Sequence, residues 1–396
     1  MTERLYYQDS YLLDFDAAIV DSREVEGQWH TVLDRSAFYP TSGGQLHDTG
    51  MLGGAEVIEV VETDSGDVCH VTADKVGAAG DNIKGAVHGV RRQDNRQKHT
   101  AQHILSQAFI KVADAETVSV HLGEEYASVE LSAGELTVEQ LAEVETLSNR
   151  IIADNLSVET MFVDSGEAAS MPLRKIPDRT GKIRVIRIAD LDWSACGGTH
   201  CRQTAEVATI KLIGTEKIRS HLSVRFLAGR QALEDYSKRF DITQTLSHQL
   251  TCHIDDIAGK FDKLSAENKD QRKQLAELQA KLLPMRAQEL AQQAKESGNT
   301  NIVFNVEEAG DAQMAAKLAR EVVALTKGVA ALYAGGRLMI AAHEASGAKA
   351  GALAKALSAR TSLKGGGSDS QAQLGGADIK QADEYRGILE ELLGHE

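Results

Sequence analysis

The sequence predicts a multidomain α+β protein in four parts. These are an N-terminal β-barrel-like domain over 1–88, an α+β domain with a candidate zinc site over 89–230, a coiled-coil or helical spacer over 231–297, and a small C-terminal α/β domain over 298–396. Three observations carry this expectation. A chain of 396 residues is too long for one ordinary core. The hydrophobic period changes along it, from strand-like alternation to helical spacing, then to heptads, then to alternating strands and helices. Two His/Cys half-motifs both fall inside the second part.

The first 88 residues read as strands. GQWHTVLDR, AEVIEVVET and DVCHVTA carry β-branched residues in partial alternation, broken by glycine-containing turns. Among them lies FYPTSGGQLHDTG, Phe38 to Gly50. It can be a plain inter-strand loop, or a place where adjacent glycines let backbone approach a ligand closely. Next, NRQKHTAQHILSQAFIKVA spaces Ile104, Leu105, Ala108, Phe109 and Val112 as one face of a helix. Strands follow at TVSVHLG and YASVELS. A second helix, TVEQLAEVETLSNRIIADN, opens with Thr137 as N-cap and Gln140 three residues on, a capping box. Strands at VETMFV, IRVIRIA, VATIKLIGTEKI and HLSVRFLAG complete the domain.

From Leu250 the pattern changes. Leu250, Ile254, Ile257, Phe261, Leu264, Asn268, Gln271, Leu275, Leu278, Leu282 and Met285 alternate by four and three, a heptad seam with two polar interior positions. Such a seam wants a partner helix. That partner is another copy, giving a homodimer through residues 250–285 or through the C-terminal domain, or a return helix in the same chain. Pro284 is expected to kink or end the helix. The last part reads as strand (NIVFNV), helix (DAQMAAKLAREVVALT), two buried strands (GVAALYAG, GRLMIAAH), an alanine-rich helix (AKAGALAKALSAR), a ligand-facing glycine loop from Leu363 to Ala377, and a final helix.

Composition narrows the function classes. A net charge of −15 argues against a generic nucleic-acid coat. Positive charge gathers locally in RRQDNRQK (Arg91 to Lys98) and RKIPDRTGKIRVIR (Arg174 to Arg187), as a solvated face or as a polyanion site. No long apolar run suggests a membrane span or a signal peptide, so a cytoplasmic protein is expected. Four irregularly spaced cysteines, Cys69, Cys196, Cys201 and Cys252, argue against a disulfide framework.

His99 and His103 stand one helical turn apart, so both can reach one ion. Cys196 and His200 in SACGGTHC have the same spacing, but the two glycines resist helix and favour a turn aiming both groups inward. Three imidazoles and a thiolate suit Zn2+. Cys201 is a competing ligand on spacing alone. The helix reads HTAQH, without the glutamate base of the H-E-x-x-H metalloproteases.

These motifs carry a resemblance. RQKHTAQHILSQAF resembles the R-N-H-T-A-x-H-L-L pattern of the editing domain of alanyl-tRNA synthetases and of the freestanding AlaX editing proteins. SACGGTHC matches that family's second signature, and FYPTSGGQLHDTG is similar to its S-G-G-Q-x-x-D-x-G motif. The KGGG…AQLGGA stretch resembles the C-terminal domain of alanyl-tRNA synthetases, shared with DHH phosphoesterases. The sequence departs at Lys98, where asparagine is usual, and in the C-terminal loop, which lacks the common G-R-P-D.

The resemblance implies the long AlaX form: a trans-editing hydrolase that removes a wrong amino acid, chiefly serine and in some members glycine, from tRNA(Ala). The chain enters the β-domain almost at once, so no aminoacylation core is expected. One Zn2+ per chain would be held by His99, His103, Cys196 and His200. Gln45 and the backbone of Ser42, Gly43 and Gly44 would face the aminoacyl-adenosine end. Size cannot reject alanine while admitting larger serine, so a group must hydrogen-bond the seryl hydroxyl. Thr117 and Ser119, with Gln45, are therefore the candidate catalytic residues. Lys364, Gly365, Gly366 and Gly367, with Lys349, Lys355 and Arg360 nearby, would contact the tRNA elsewhere. The rivals are a non-catalytic zinc-containing tRNA-binding module and a DHH-type phosphoesterase, for which no Asp-His-His motif appears.

Overall fold

The computed structural model describes residues 1–175, 181–307 and 311–394. Contacts group the chain into two compact units, Met1–Leu246 and Ser247–Glu396.

In the first unit six antiparallel strands close a barrel in the order Asp14–Val25, Gln28–Leu33, Val68–Thr72, Ala55–Glu62, Gly50–Leu52 and Asn82–Val87. Phe15, Ala17 and Ile19 alternate inward along the first strand and meet Leu33, Phe38, Leu52, Val57 and Val68. The first hairpin turns on Glu26 and Gly27, both with positive φ, the conformation that matches strand twist in two-residue turns.

The long helix Gly89–Ala113 follows the barrel. Its Ile104, Leu105, Ala108 and Phe109 pack on a four-stranded antiparallel sheet in the order Ile210–Ile218, His221–Ala228, Ala127–Leu131, Thr117–Leu122. The helix Val138–Ala153 covers the same core and carries the expected capping box, with the Gln140 amide donating to Thr137 Oγ1 at 3.1 Å. A three-stranded sheet of Val158–Val163, Ile183–Ile188 and Asp192–Ala195 completes this layer.

The Arg91 to Lys98 run is neither a solvated face nor a polyanion surface. Arg92 is fully buried against the equally buried Asp48, and also donates to the carbonyls of Ala37 and Ser10. Lys98 is buried with its ammonium on the Gly123 carbonyl at 2.7 Å, and burial lowers its pKa to about 8. Arg96 lies 3.5 Å over the Tyr11 ring. Within the second basic run, residues 176–180 lie outside the described residues.

The heptad seam does not begin at Leu250. The helix Gly229–Leu250 ends there, Thr251 adopts a left-handed conformation, and a short turn precedes the next helix, Ile257–Ala291. That helix passes through Pro284 instead of ending, because Ala287 and Leu290 in its last turns are buried against Val303, Leu318 and Val322. Phe261, Leu264, Leu275, Leu278, Leu282 and Met285 are exposed.

The second unit is built on a six-stranded sheet in the order Lys295–Ser297, Thr300–Glu307, Val329–Ala334, Arg337–Ala342, Gln371–Gly375, Lys364–Gly367. Thr300–Glu307 and Val329–Ala334 are parallel, joined through the helix Ala312–Thr326; the other pairs are antiparallel. Both faces are covered, so Val329–Ala334 is apolar throughout. The glycine run is not a loop. Lys364–Gly367 is an exposed edge strand, and a Cβ at Gly365 or Gly367 would stand about 2 Å from the Gln373 or Gln371 carbonyl of its neighbour. Of the basic residues expected to meet RNA, Lys349 pairs with Asp369 and Arg360 with Glu391, while Lys355 and Lys364 are exposed. Among the described residues no helix is long and apolar enough to cross a membrane.

Candidate metal centre and its cavity

One ligand atom each from His99, His103, Cys196 and His200 lies within 4.8 Å of the others. Cys196 Sγ stands 3.4 Å from His99 Nε2 and 3.3 Å from His200 Nε2. Those separations fit donors sharing one tetrahedral ion, for which bond lengths of 2.0–2.3 Å imply an edge of about 3.5 Å. The helix supplies the histidine pair, and the turn after strand Asp192–Ala195 supplies the other two ligands. Gly198 in that turn is required by packing: a Cβ there would meet His99 Cε1 at 2.0 Å. Cys201 is turned away and buried, its amide bonded to Thr100 Oγ1 and its thiol pushed up to about 12 by burial.

Each imidazole is aimed from behind. His99 Nδ1–H donates to Gln45 Oε1 at 2.8 Å, an oxygen that also accepts from the Thr199 amide. His103 Nδ1–H donates to Asp192 Oδ2 at 2.7 Å, and His200 Nδ1 faces Thr100 Oγ1 at 3.4 Å. Such partners fix the tautomer and leave Nε2 free for a metal. Asp192 is 1% exposed and also accepts from Gln107 at 2.6 Å and Ser194 at 2.8 Å. Burial would raise its pKa, but the His103 hydrogen bond and charge hold it near 2. Burial would likewise lower His103, yet the bonds to Asp192 and Cys196 raise it. Burial drives His99 down to about 3. Burial would raise the Cys196 thiol, but His103 and the Gly198 amide pull it down, toward the thiolate that zinc prefers.

Beside His99, His103 and Cys196 opens a cavity of about 620 Å³, bordered also by Tyr39, Ser42, Gly43, Gln102, Thr117 and Arg174. The glycine motif of the barrel reaches it because Gly44 sits against the Val120 carbonyl, where a Cβ would come within 2.4 Å, and its own carbonyl accepts from the Leu122 amide.

Of the expected site residues, Ser42, Gly43 and Thr117 border the cavity together with His99, His103 and Cys196. Gln45 does not face it. It is fully buried behind His99, with its amide bonded to the His99 ring and to Thr199. Ser119 also points elsewhere: its hydroxyl donates to Glu130 at 2.7 Å on the exposed side of the sheet, because a bulge between Glu130 and Leu131 shifts the register. Lys364 to Gly367 lie in the second unit. Asp192, Gln102 and Ser106 escaped notice in the sequence. Gln102 lies inside HTAQH and Asp192 four residues before Cys196, so proximity to the motifs was their only signal.

Comparison with known proteins gives a family model described as the threonyl and alanyl tRNA synthetase second additional domain, matching residues 183–223. Over 100% of this chain and 99% of its own, the alanyl-tRNA editing protein AlaX-L of Pyrococcus horikoshii is 29% identical. The alanine–tRNA ligase of Archaeoglobus fulgidus is 33% identical over 80% of this chain, which spans only 36% of that longer enzyme. That of Methanopyrus kandleri is 29% identical over 99% of this chain and 45% of its own.

Proposed function

We propose that this chain, a relative of the long-form AlaX editing proteins from end to end, hydrolyses the ester of wrongly charged tRNA(Ala), chiefly Ser-tRNA(Ala), with Gly-tRNA(Ala) the second substrate to test. The observation that carries the reading is the convergence of His99, His103, Cys196 and His200 on one point, with His99, His103 and Cys196 bordering a cavity that Thr117 also borders. A zinc ion held by those four residues would supply a Lewis acid and an anchor for an electron-rich substrate group.

The remaining work falls to the chain. Ser42 and Gly43 offer backbone, with no side chain at Gly43, where the terminal adenosine would lie. Arg174 and Lys175 border the same cavity and would attract the phosphates of the 3′ end. Thr117 would hydrogen-bond the seryl hydroxyl, the feature that separates serine from alanine. In the second unit, exposed Lys355 and Lys364 would hold the tRNA away from its acceptor end. The exposed seam from Phe261 to Met285 supports pairing with a second copy. This activity belongs in the cytoplasm, with translation.

The four protein ligands also favour a second reading, since a filled shell is typical of structural zinc. In that reading the chain binds tRNA without acting on it. One assay separates the two: ester loss from Ser-tRNA(Ala), Gly-tRNA(Ala) and Ala-tRNA(Ala), with and without a zinc chelator. The deacylase reading expects release of serine, sparing of alanine, and loss of activity on chelation; release of glycine as well would widen the substrate range. No release above the uncatalysed rate would overturn it.

A further inference from the structure

We infer that Gln102 and Ser106 are positioning residues that set the direction of the Thr117 hydroxyl. The inference rests on the deacylase reading and names how that same site would choose its amino acid.

Gln102 and Ser106 lie one turn apart on the helix Gly89–Ala113 and are buried, at 2% and 0% exposure. Gln102 Nε2 donates to Ser106 Oγ at 2.8 Å, and Ser106 Oγ lies 2.7 Å from Thr117 Oγ1. Gln102 and Thr117 border the cavity, with Ser106 bonded to both.

A hydroxyl has one proton to give. Ser106 is fully buried, and among the described residues its hydroxyl meets only the Gln102 amide, which donates, and Thr117 Oγ1; the arrangement that leaves no buried proton unpaired therefore has Ser106 donating to Thr117. Thr117 then accepts from Ser106, and its own proton is left for the cavity. A seryl group offers an oxygen there to receive it; an alanyl group offers none, and the half-buried donor goes unpaired. The relay therefore makes Thr117 a fixed donor in place of a rotor that must be ordered when substrate binds. Because the relay and the histidine pair share one helix, the hydroxyl is held in register with the metal ligands.

The test compares Thr117→Val, Ser106→Ala, Ser106→Thr and Gln102→Leu in the full-length zinc-loaded protein. The readouts are kcat/KM on Ser-tRNA(Ala) and Ala-tRNA(Ala), zinc content and thermal melting. Thr117→Val is expected to lower the serine-over-alanine ratio by about a hundredfold and Ser106→Ala by about tenfold, the worth of one hydrogen bond. Ser106→Thr should restore the ratio, and Gln102→Leu should reduce it severalfold, all with zinc content unchanged. If Ser106→Ala misfolds, Gln102→Leu carries the same comparison. A wild-type ratio in Gln102→Leu or in folded Ser106→Ala overturns the relay while leaving the deacylase reading intact; so does a loss that tracks zinc and is not rescued by threonine. If the unmodified protein releases no serine, the deacylase reading fails and the relay fails with it.

Discussion

Replacing Asp192 should loosen the metal centre without touching a ligand. Its two oxygens collect three donors, with Oδ2 serving His103 and Ser194 and Oδ1 serving Gln107. At 1% exposure no bulk water can stand in for either oxygen. Asparagine keeps one acceptor for His103 and Ser194 and turns an amide toward Gln107, whose own amide can flip to meet it. The loss is then mainly the negative charge beside the imidazole. Alanine removes both oxygens and leaves His103 without its guide. Partners behind metal-bound histidines are worth 10- to 100-fold in affinity, so Asp192→Asn should weaken zinc binding about tenfold and Asp192→Ala about a hundredfold. At about 1.4 kcal/mol per decade, these are losses of about 1.4 and 2.8 kcal/mol. Competition against a chromophoric chelator measures the affinities, and elemental analysis gives the stoichiometry. Two folded variants that both hold zinc within about twofold of the parent would refute the reasoning.

Three further outcomes are expected. Gly198→Ala places a Cβ at 2.0 Å from His99 Cε1 and should abolish stoichiometric zinc, whereas Gly43→Ala meets nothing within 4 Å and should keep it; elemental analysis of both checks this. His70 is fully buried and its pKa is lowered by burial to about 4, with Nδ1–H on the Thr31 carbonyl and Nε2 accepting from Ser36. Between pH 6.5 and 4 the unfolded chain takes up a proton that the folded barrel refuses. The contribution to stability is therefore complete above pH 6.5 and is lost as pH falls, by about 3 kcal/mol in all. His70→Gln should remove that part of the slope, and equal pH dependence of denaturant unfolding in the two proteins would contradict it. Reversing Lys355 and Lys364 to glutamate should raise KM for charged tRNA and reduce its salt sensitivity, leaving kcat nearly constant. A fall in kcat alone in steady-state assays would place those lysines in another role.

Several features were legible because they are local. The i, i+4 spacing of His99 and His103 needs only a helix to put both rings on one face. The capping box at Thr137 is complete within four residues. Alternation marked several barrel strands, and the short CGGTH turn brought Cys196 and His200 to the histidine pair. Pro284 misled because local propensity was outweighed by burial of Ala287 and Leu290 beyond it. The charges of RRQDNRQK misled because their acceptors, Asp48 and the carbonyls of Ser10, Ala37 and Gly123, lie far along the chain. The buried place of Gln45 was hidden for the same reason: its partners, His99 and Thr199, are 54 and 154 residues away.

The sequence by itself determined the helical histidine pair and the glycine turn that carry the candidate ligands, since periodicity, capping and glycine turns act over a few residues; that Cys196 and not Cys201 faces the histidines was decided by the fold. Only the tertiary structure decided which acceptor stands behind each imidazole, which strand hydroxyl faces the cavity and that the glycine run is an edge strand. Those are matters of register and burial between distant segments. There, one residue of slip exchanges the two faces of a strand, and a side chain's role depends on whichever partner folding brings within about 3 Å.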